Sequence, residues 1–312
     1  MKNIFFNPFQ GRLRAGWRIA IYFLSFFVLA ALANFILKNL FPTRILRSLI
    51  AVIIIPVIAL GTLWLAARYL DHRKFKDYGF HLSSRWRLDF LFGFVLSAFL
   101  FSAIFLFEKA VGWITVVGYF QNQREGYLGM PFIVPLIMGF IAFIIVGFYE
   151  ESIFRANLIT NLSEGLNKKS AMPKKSLLWA YLLSSLIFGL SHAINPNSTV
   201  VAALSIILGG FLIGLPYILS GELAIPIALH ISWNFFQGLV FGFPVSGVAE
   251  NTSVMAIEQH GPPLWTGGAF GPEGGLIGVA AILVGCACVL LWFKLTKRPI
   301  SLWTGLADFR RS

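Results

Sequence analysis

Charge is scarce in this sequence. Only 12% of its 312 residues are charged, against 57% hydrophobic, and long apolar runs recur along it, so one or two soluble globular domains are the wrong expectation. Cysteine is scarcer still: Cys286 and Cys288 are the only two, both inside an apolar run. No disulfide framework can be built, and a C-x-C pair in an apolar helix reads as two small side chains rather than a redox or metal site. Acidic residues are few as well, 13 against 25 Lys and Arg, giving a net charge of +12. That excess lies in short segments between apolar runs, where membrane topology places it, and not on an aromatic-interleaved face suited to nucleic acid. Internal repeats, low-complexity tails and a soluble domain are also missing.

What the chain does have is apolar runs of about 20 residues, the length that crosses a bilayer. Eight are read: Ile19–Leu37, Leu49–Leu70, Leu88–Phe107, a long one over Phe132–Leu162, Ser176–Ile194, Thr199–Leu219, Leu223–Phe241 and Leu276–Phe293. In lipid each backbone polar group must be satisfied within its own segment, so these runs predict helices. The fold class is therefore all-α, a polytopic membrane bundle of about eight transmembrane helices. Residues 1–18 form an N-terminal arm, 19–293 the transmembrane domain and 294–312 a tail. "ALA" at Ala31–Ala33 mimics a signal-peptide cleavage site, but the apolar run outlasts an ordinary signal core, so the first span is expected to be retained.

Orientation follows from the basic residues. With the N-terminus inside, the inner segments carry the arm's arginines, "DHRKFKDYGFHLSSRWR", "NKKSAMPKKS" and the basic tail. The outer segments carry only Lys38, Arg44, Arg47, Lys109 and Arg124, and the Gly/Pro-rich stretch 243–275 has no Lys or Arg. The positive-inside rule then puts both termini in the cytoplasm and 243–275 outside as an irregular loop. His260 in it reads as a surface residue. Gly210 and Gly214 form a G-x-x-x-G that reads as helix packing.

Ionisable side chains at membrane depth are costly and mark functional sites by default. They occur at Glu150, Glu151 and Arg155, at His192, and at His230 with Asn234; Glu222, in the "SGEL" turn, reads as interfacial. Glu151 and Arg155 are four apart with the glutamate first, the favourable order for an ion pair. Glu150 points about 100° away at 3.6 residues per turn. Arg155 can thus neutralise one carboxylate and leave the other to act as a general base for water. Taken alone, the three charges read equally well as a tie between helices. Two histidines on other spans favour convergence: Phe188 and His192 share one helical face, and so do His230 and Asn234. Antiparallel helices joined by the basic loop 168–175 would bring Glu150 and His192 to similar depth, provided the fourth helix continues through "RANLITNL". His230 fits less well, being close to the "SGEL" turn, unless that turn dips into the membrane or the helices tilt.

E-E-x3-R in "EESIFR", F-x3-H in "FGLSH" and H-x3-N in "HISWN", in this order on successive spans, resemble the CPBP family of type II CAAX prenyl proteases and bacteriocin-processing, Abi-like membrane proteases. Each motif alone is weak; the ordered set is specific. The resemblance covers roughly Asp71 to Phe293, and "TGGAFGPEGG" is similar to bacterial members. It implies a glutamate-dependent intramembrane endopeptidase in a bacterial inner (plasma) membrane, acting on a peptide or protein substrate at the bilayer. Glu150 and His192 would activate water, Glu151 and Arg155 would hold charge and geometry, and His230 and Asn234 would stabilise the oxyanion. Glu150, His192 and His230 are also a chemically sensible zinc set; because Arg155 already neutralises a carboxylate, no tightly bound metal is expected. The readings from other classes are a proton- or ion-coupled transporter using the same Glu/His relay and a non-catalytic immunity protein.

Overall fold

A computed structural model describes residues 4–8, 10–41, 43–123, 127–167 and 171–309. Arg124, Lys168, Lys169, Arg310 and Arg311, which entered the charge count above, lie outside the described residues. The chain is a helical bundle. Its helices are α1 (Ala15–Leu40), α2 (Arg44–Leu65, running on through a π-turn to Asp71), α3 (Ser84–Ala110), α4 (Ile133–Leu166), α5 (Pro173–His192), α6 (Val200–Ser220), α7 (Ala224–Asn234, running on to Val240) and α8 (Leu276–Leu295). Six of them, α1 to α4, α6 and α8, contain a stretch long and apolar enough to cross a membrane. The other two complete the bundle: α5, which opens on two lysines, and the shorter α7.

The stretch 243–275, expected to be irregular, contains a strand. Ile114–Asn122 (β1) pairs antiparallel with Thr252–Gln259 (β2), from Ile114 opposite Gln259 to Asn122 opposite Thr252. Gly and Pro flank β2 and hide it in the sequence, while "SVMAI" supplies the β-branched and apolar residues that pairing uses. The same loop is folded over the bundle by hydrogen bonds from Gly247 N to Phe270 O and from His260 N to Trp113 O.

α4 is the longest element and changes hand-hold on the way. It is α-helical to Glu151, a π-helix over Ser152–Ile159 and α-helical again to Leu166. Residues 151–160 are all buried, so the continuation through "RANLITNL" holds. Wide turns of this kind recur at functional sites. Here the π segment begins one residue after the double glutamate.

The opposite end of the bundle from β1–β2 is tied by a buried ionic cluster. Glu164 accepts from Arg12 at 2.6 Å, from Arg18 at 2.8 Å and from Arg73. Asp71 accepts from Arg18, Tyr78 and Asn161, and Arg73 also donates to Asp308 O. One carboxylate thus links the N-terminal arm, α1, the loop after α2, α4 and the C-terminal tail. Burial, the largest single influence, pushes the Arg73 guanidinium down, but the charge and hydrogen bond of Glu164 together with Tyr78 and Tyr217 outweigh it, so it rises from its ordinary value. Breaking a buried charge network by removing one partner costs on the order of 3–5 kcal/mol. Glu164→Gln is accordingly expected to lower the melting temperature of the purified protein in detergent, measured by intrinsic fluorescence. Unaltered melting would show that the cluster does not hold this end together.

Candidate active site

Three helices bring the expected residues together. Glu150 and Glu151 end the α-helical part of α4. His192 is the last residue of α5. His230 and Asn234 are one turn apart on α7. The depth problem posed by His230 is solved by a recessed turn. Ser97 of α3 donates to Leu229 O at 3.0 Å, and Ser97 lies about 20 Å along α3 from Ser84 at 1.5 Å per residue. α7 needs only about 8 Å of that rise to reach Leu229 from Ala224. Its start is therefore set well inside the bundle end, not tilted away from it. The recess is filled by protein: Leu223 N donates to Gly79 O at 3.1 Å, and Trp303 N donates to Ile218 O at 2.8 Å.

The two glutamates have different surroundings. Glu151, fully buried, accepts from Arg155 Nη1 at 3.0 Å through Oε1, and the same oxygen meets His230 Nδ1 at 2.8 Å. Arg155 also donates to Gly210 O at 3.1 Å and lies over the Phe188 ring at 4.5 Å. Two glycines allow this closeness. A Cβ on Gly147 would sit 2.6 Å from Ile231 Cγ1, and one on Gly210 would sit 3.0 Å from the Ser185 backbone. Gly147 lets α7 approach α4 beside Glu151, and Gly210 packs α6 on α5 as the G-x-x-x-G suggested.

Glu150 accepts from Tyr149 Oη at 3.1 Å through Oε1. Its other oxygen, Oε2, is buried without a hydrogen-bond partner in the protein. That oxygen lies 4.0 Å from His192 Nε2 and 3.8 Å from His230 Nε2. Both rings are oriented from behind. His192 Nδ1 meets Phe188 O at 2.8 Å, and a carbonyl can only accept, so that nitrogen carries the proton and Nε2 is an acceptor. His230 Nδ1 donates in the same way to Glu151. The F-x3-H spacing therefore has a backbone reason as well as a facial one: Phe188 supplies the carbonyl that fixes His192 and the ring that carries Arg155.

A cavity of about 50 Å³, room for a few water molecules, adjoins the two histidines, and Glu150 is not part of its lining. Its lining includes His192, His230 and Asn234, and four residues that the sequence reading did not single out, Gly209, Trp233, Ser246 and Glu273. Glu273 accepts from Trp233 Nε1 at 3.1 Å and from Ser246 through both its amide and its hydroxyl. Burial raises its carboxyl above the ordinary glutamate range, while Ser246, His192 and Trp233 pull it back. Its only sequence signal was a lone carboxylate in a Gly/Pro-rich loop, and the fold alone brings that loop to the site.

Among the described residues no group of three His, Cys, Asp or Glu side chains is placed to hold a metal ion. No step below passes through a metal ion.

Fold and site define a helical integral membrane protein with a buried Glu/His centre. Residues 132–236 match the family model of type II CAAX prenyl endopeptidases, described as Rce1-like. The matched segment contains all three motifs, so the resemblance to the CPBP family holds across the centre itself, and a membrane protease kind of function goes with it. No curated protein matches the chain.

The shared oxygen of Glu151 generates a stability prediction. Arg155→Ala strands a buried carboxylate and should lower the melting temperature, with a cost on the order of 3–5 kcal/mol. Combining it with Glu151→Gln should recover part of the loss, a non-additivity read from the four melting curves. Additive losses would show that the two side chains do not depend on each other.

Proposed function

We propose that the protein is an intramembrane endopeptidase in which Glu150 activates water. The observation that carries this is the bare Oε2 of Glu150, 3.8 to 4.0 Å from two imidazole Nε2 atoms. Such a gap is wider than a direct hydrogen bond and is where a bridging water is sought. Water held there meets one carboxylate oxygen and two ring nitrogens, next to the small cavity lined by His192, His230 and Asn234.

Water attacks the scissile carbonyl carbon, and its proton passes to Glu150, assisted by His192. The carbonyl π electrons move to oxygen, which faces His230 and Asn234. His230 donates from Nε2 when both of its nitrogens are protonated, a form that the Glu151 carboxylate stabilises. The tetrahedral adduct collapses with cleavage of the C–N bond, and Glu150 returns its proton to the departing amine. Glu151 and Arg155 act behind the reacting atoms: they fix His230 and leave Glu150 as the uncommitted base. Preorganised donors aimed at developing charge supply the larger part of such catalysis.

The basic residues at the end holding the termini orient the chain with both termini in the cytoplasm of a plasma membrane. No metal is assigned a role, and the substrate is a peptide segment at the bilayer.

Loss of a general base typically costs 10² to 10⁴ in rate. Glu150→Gln is expected to abolish cleavage while the protein still inserts, and His192→Ala and His230→Ala to do the same. The check is a comparison of protein C-termini in membranes from cells carrying either the wild-type chain or Glu150→Gln. Termini present only with the wild type are the expected result, and identical sets would sink the reading.

A further inference from the structure

The polar atoms left without protein partners are not scattered. Among the described residues ten buried side-chain nitrogen and oxygen atoms have no hydrogen-bond partner in the protein. Five of the ten lie away from the catalytic cavity in one seam: Arg18 Nε, Tyr22 Oη, both amide atoms of Asn157, and Asn161 Oδ1. None of these four residues is more than 1% exposed.

Helix geometry places them side by side. Arg18 of α1 and Asn161 of α4 both donate to Asp71, so the two helices meet at that carboxylate. One turn further from the ionic cluster, about 6 Å along each helix, come Tyr22 on α1 and Asn157 on α4. Beyond them Phe26 of α1 stacks on Tyr149 of α4 with ring centroids 6.2 Å apart, and Tyr149 donates to Glu150. The seam therefore runs from the ionic cluster to this aromatic pair, with Tyr22 and Asn157 between the two. α2 packs against both helices, and Ala59 and Ala66 on its buried face are small side chains that leave space.

A dry seam does not account for these atoms, because buried polar groups left unpaired are rare and costly. The set is also mixed. Arg18 Nε and Asn157 Nδ2 donate, Asn157 Oδ1 and Asn161 Oδ1 accept, and Tyr22 Oη does either. An anion would meet only the donors. A cation would meet only the acceptors and be repelled by Arg18. Water serves both kinds, and at about three hydrogen bonds for each buried molecule five atoms call for about two waters.

From these observations we infer that the seam between α1, α2 and α4 is an internal water-binding site, where Arg18, Tyr22, Asn157 and Asn161 hold a short row of water molecules. The row ties α1 to the helix that carries both glutamates. It carries hydrogen bonding from the ionic cluster up α4 towards Glu151, whose Oε2 is the next unpartnered atom along that helix. The site stands whether or not the protein is a protease.

Two buried tyrosines test it in the full chain in detergent. Tyr22 is 1% exposed and its hydroxyl has no protein partner, whereas Tyr217, at 0%, shares its hydroxyl with Thr160 at 3.1 Å. A short X-ray pulse splits water into hydroxyl radicals, and a buried ring is oxidised where a bound water lies against it. Oxidation of each tyrosine is read by mass spectrometry of its peptide.

Tyr22 is expected to be oxidised at least fivefold faster than Tyr217, and a smaller ratio would overturn the inference. In Asn157→Leu, where an apolar side chain takes the place of the amide, the ratio is expected to fall at least by half. A smaller fall would remove Asn157 from the site. If Asn157→Leu does not fold, Asn157→Val takes its place with the same readings, and the wild-type ratio decides the presence of the water on its own.

Discussion

One carboxylate oxygen organises the centre. Glu151 Oε1 is shared by Arg155 at 3.0 Å and His230 at 2.8 Å in a fully buried setting. A lone carboxylate there would be costly, and the two partners repay that cost only because both are held in place. The rest follows from meeting this condition. α6 must come close enough to offer Gly210 O to Arg155, α7 must come close enough past Gly147 to bring His230, and Phe188 must lie beneath the guanidinium. With Glu151 Oε1 committed, the adjacent Glu150, rotated around the helix, is the carboxylate that faces both imidazole Nε2 atoms, while Oε2 of each glutamate is without a protein hydrogen-bond partner.

The π-helix after Glu151 belongs to the same constraint. It carries Arg155 in its first half, among residues that are all buried, and leads without a break to Asn161 and Glu164 at the basic end. α4 is therefore the backbone between two charged centres, one fixing the termini and one fixing the reactive groups. Both use a carboxylate shared among cations. They differ in that three guanidiniums reach Glu164, while a single guanidinium and a titratable imidazole reach Glu151.

Much of this was legible before the fold was known, and for definite reasons. Ionisable residues are so rare in apolar runs that Glu150, Glu151, Arg155, His192, His230 and Asn234 stood out, and the i, i+4 rule separated Glu151 from Glu150. The antiparallel pairing of α4 and α5 followed from the position of their loop. What could not be read was anything set by non-local packing. β2 is flanked by Gly and Pro and pairs with a strand far earlier in the chain, Ile114 opposite Gln259 and Asn122 opposite Thr252. The recess of α7 depends on its register against α3. Glu273 and Ser246 reach the cavity because the loop folds back, and nothing in "GPEGG" fixes where it goes.

The division of labour between the two glutamates is the centre of the account, and paired melting and cleavage measurements on Glu150→Gln and Glu151→Gln test it most directly. The account predicts loss of cleavage in both, with Glu150→Gln melting at or above the wild-type temperature and Glu151→Gln melting well below it. Equal destabilisation by both substitutions would contradict it, because the two carboxylates would then be doing the same job.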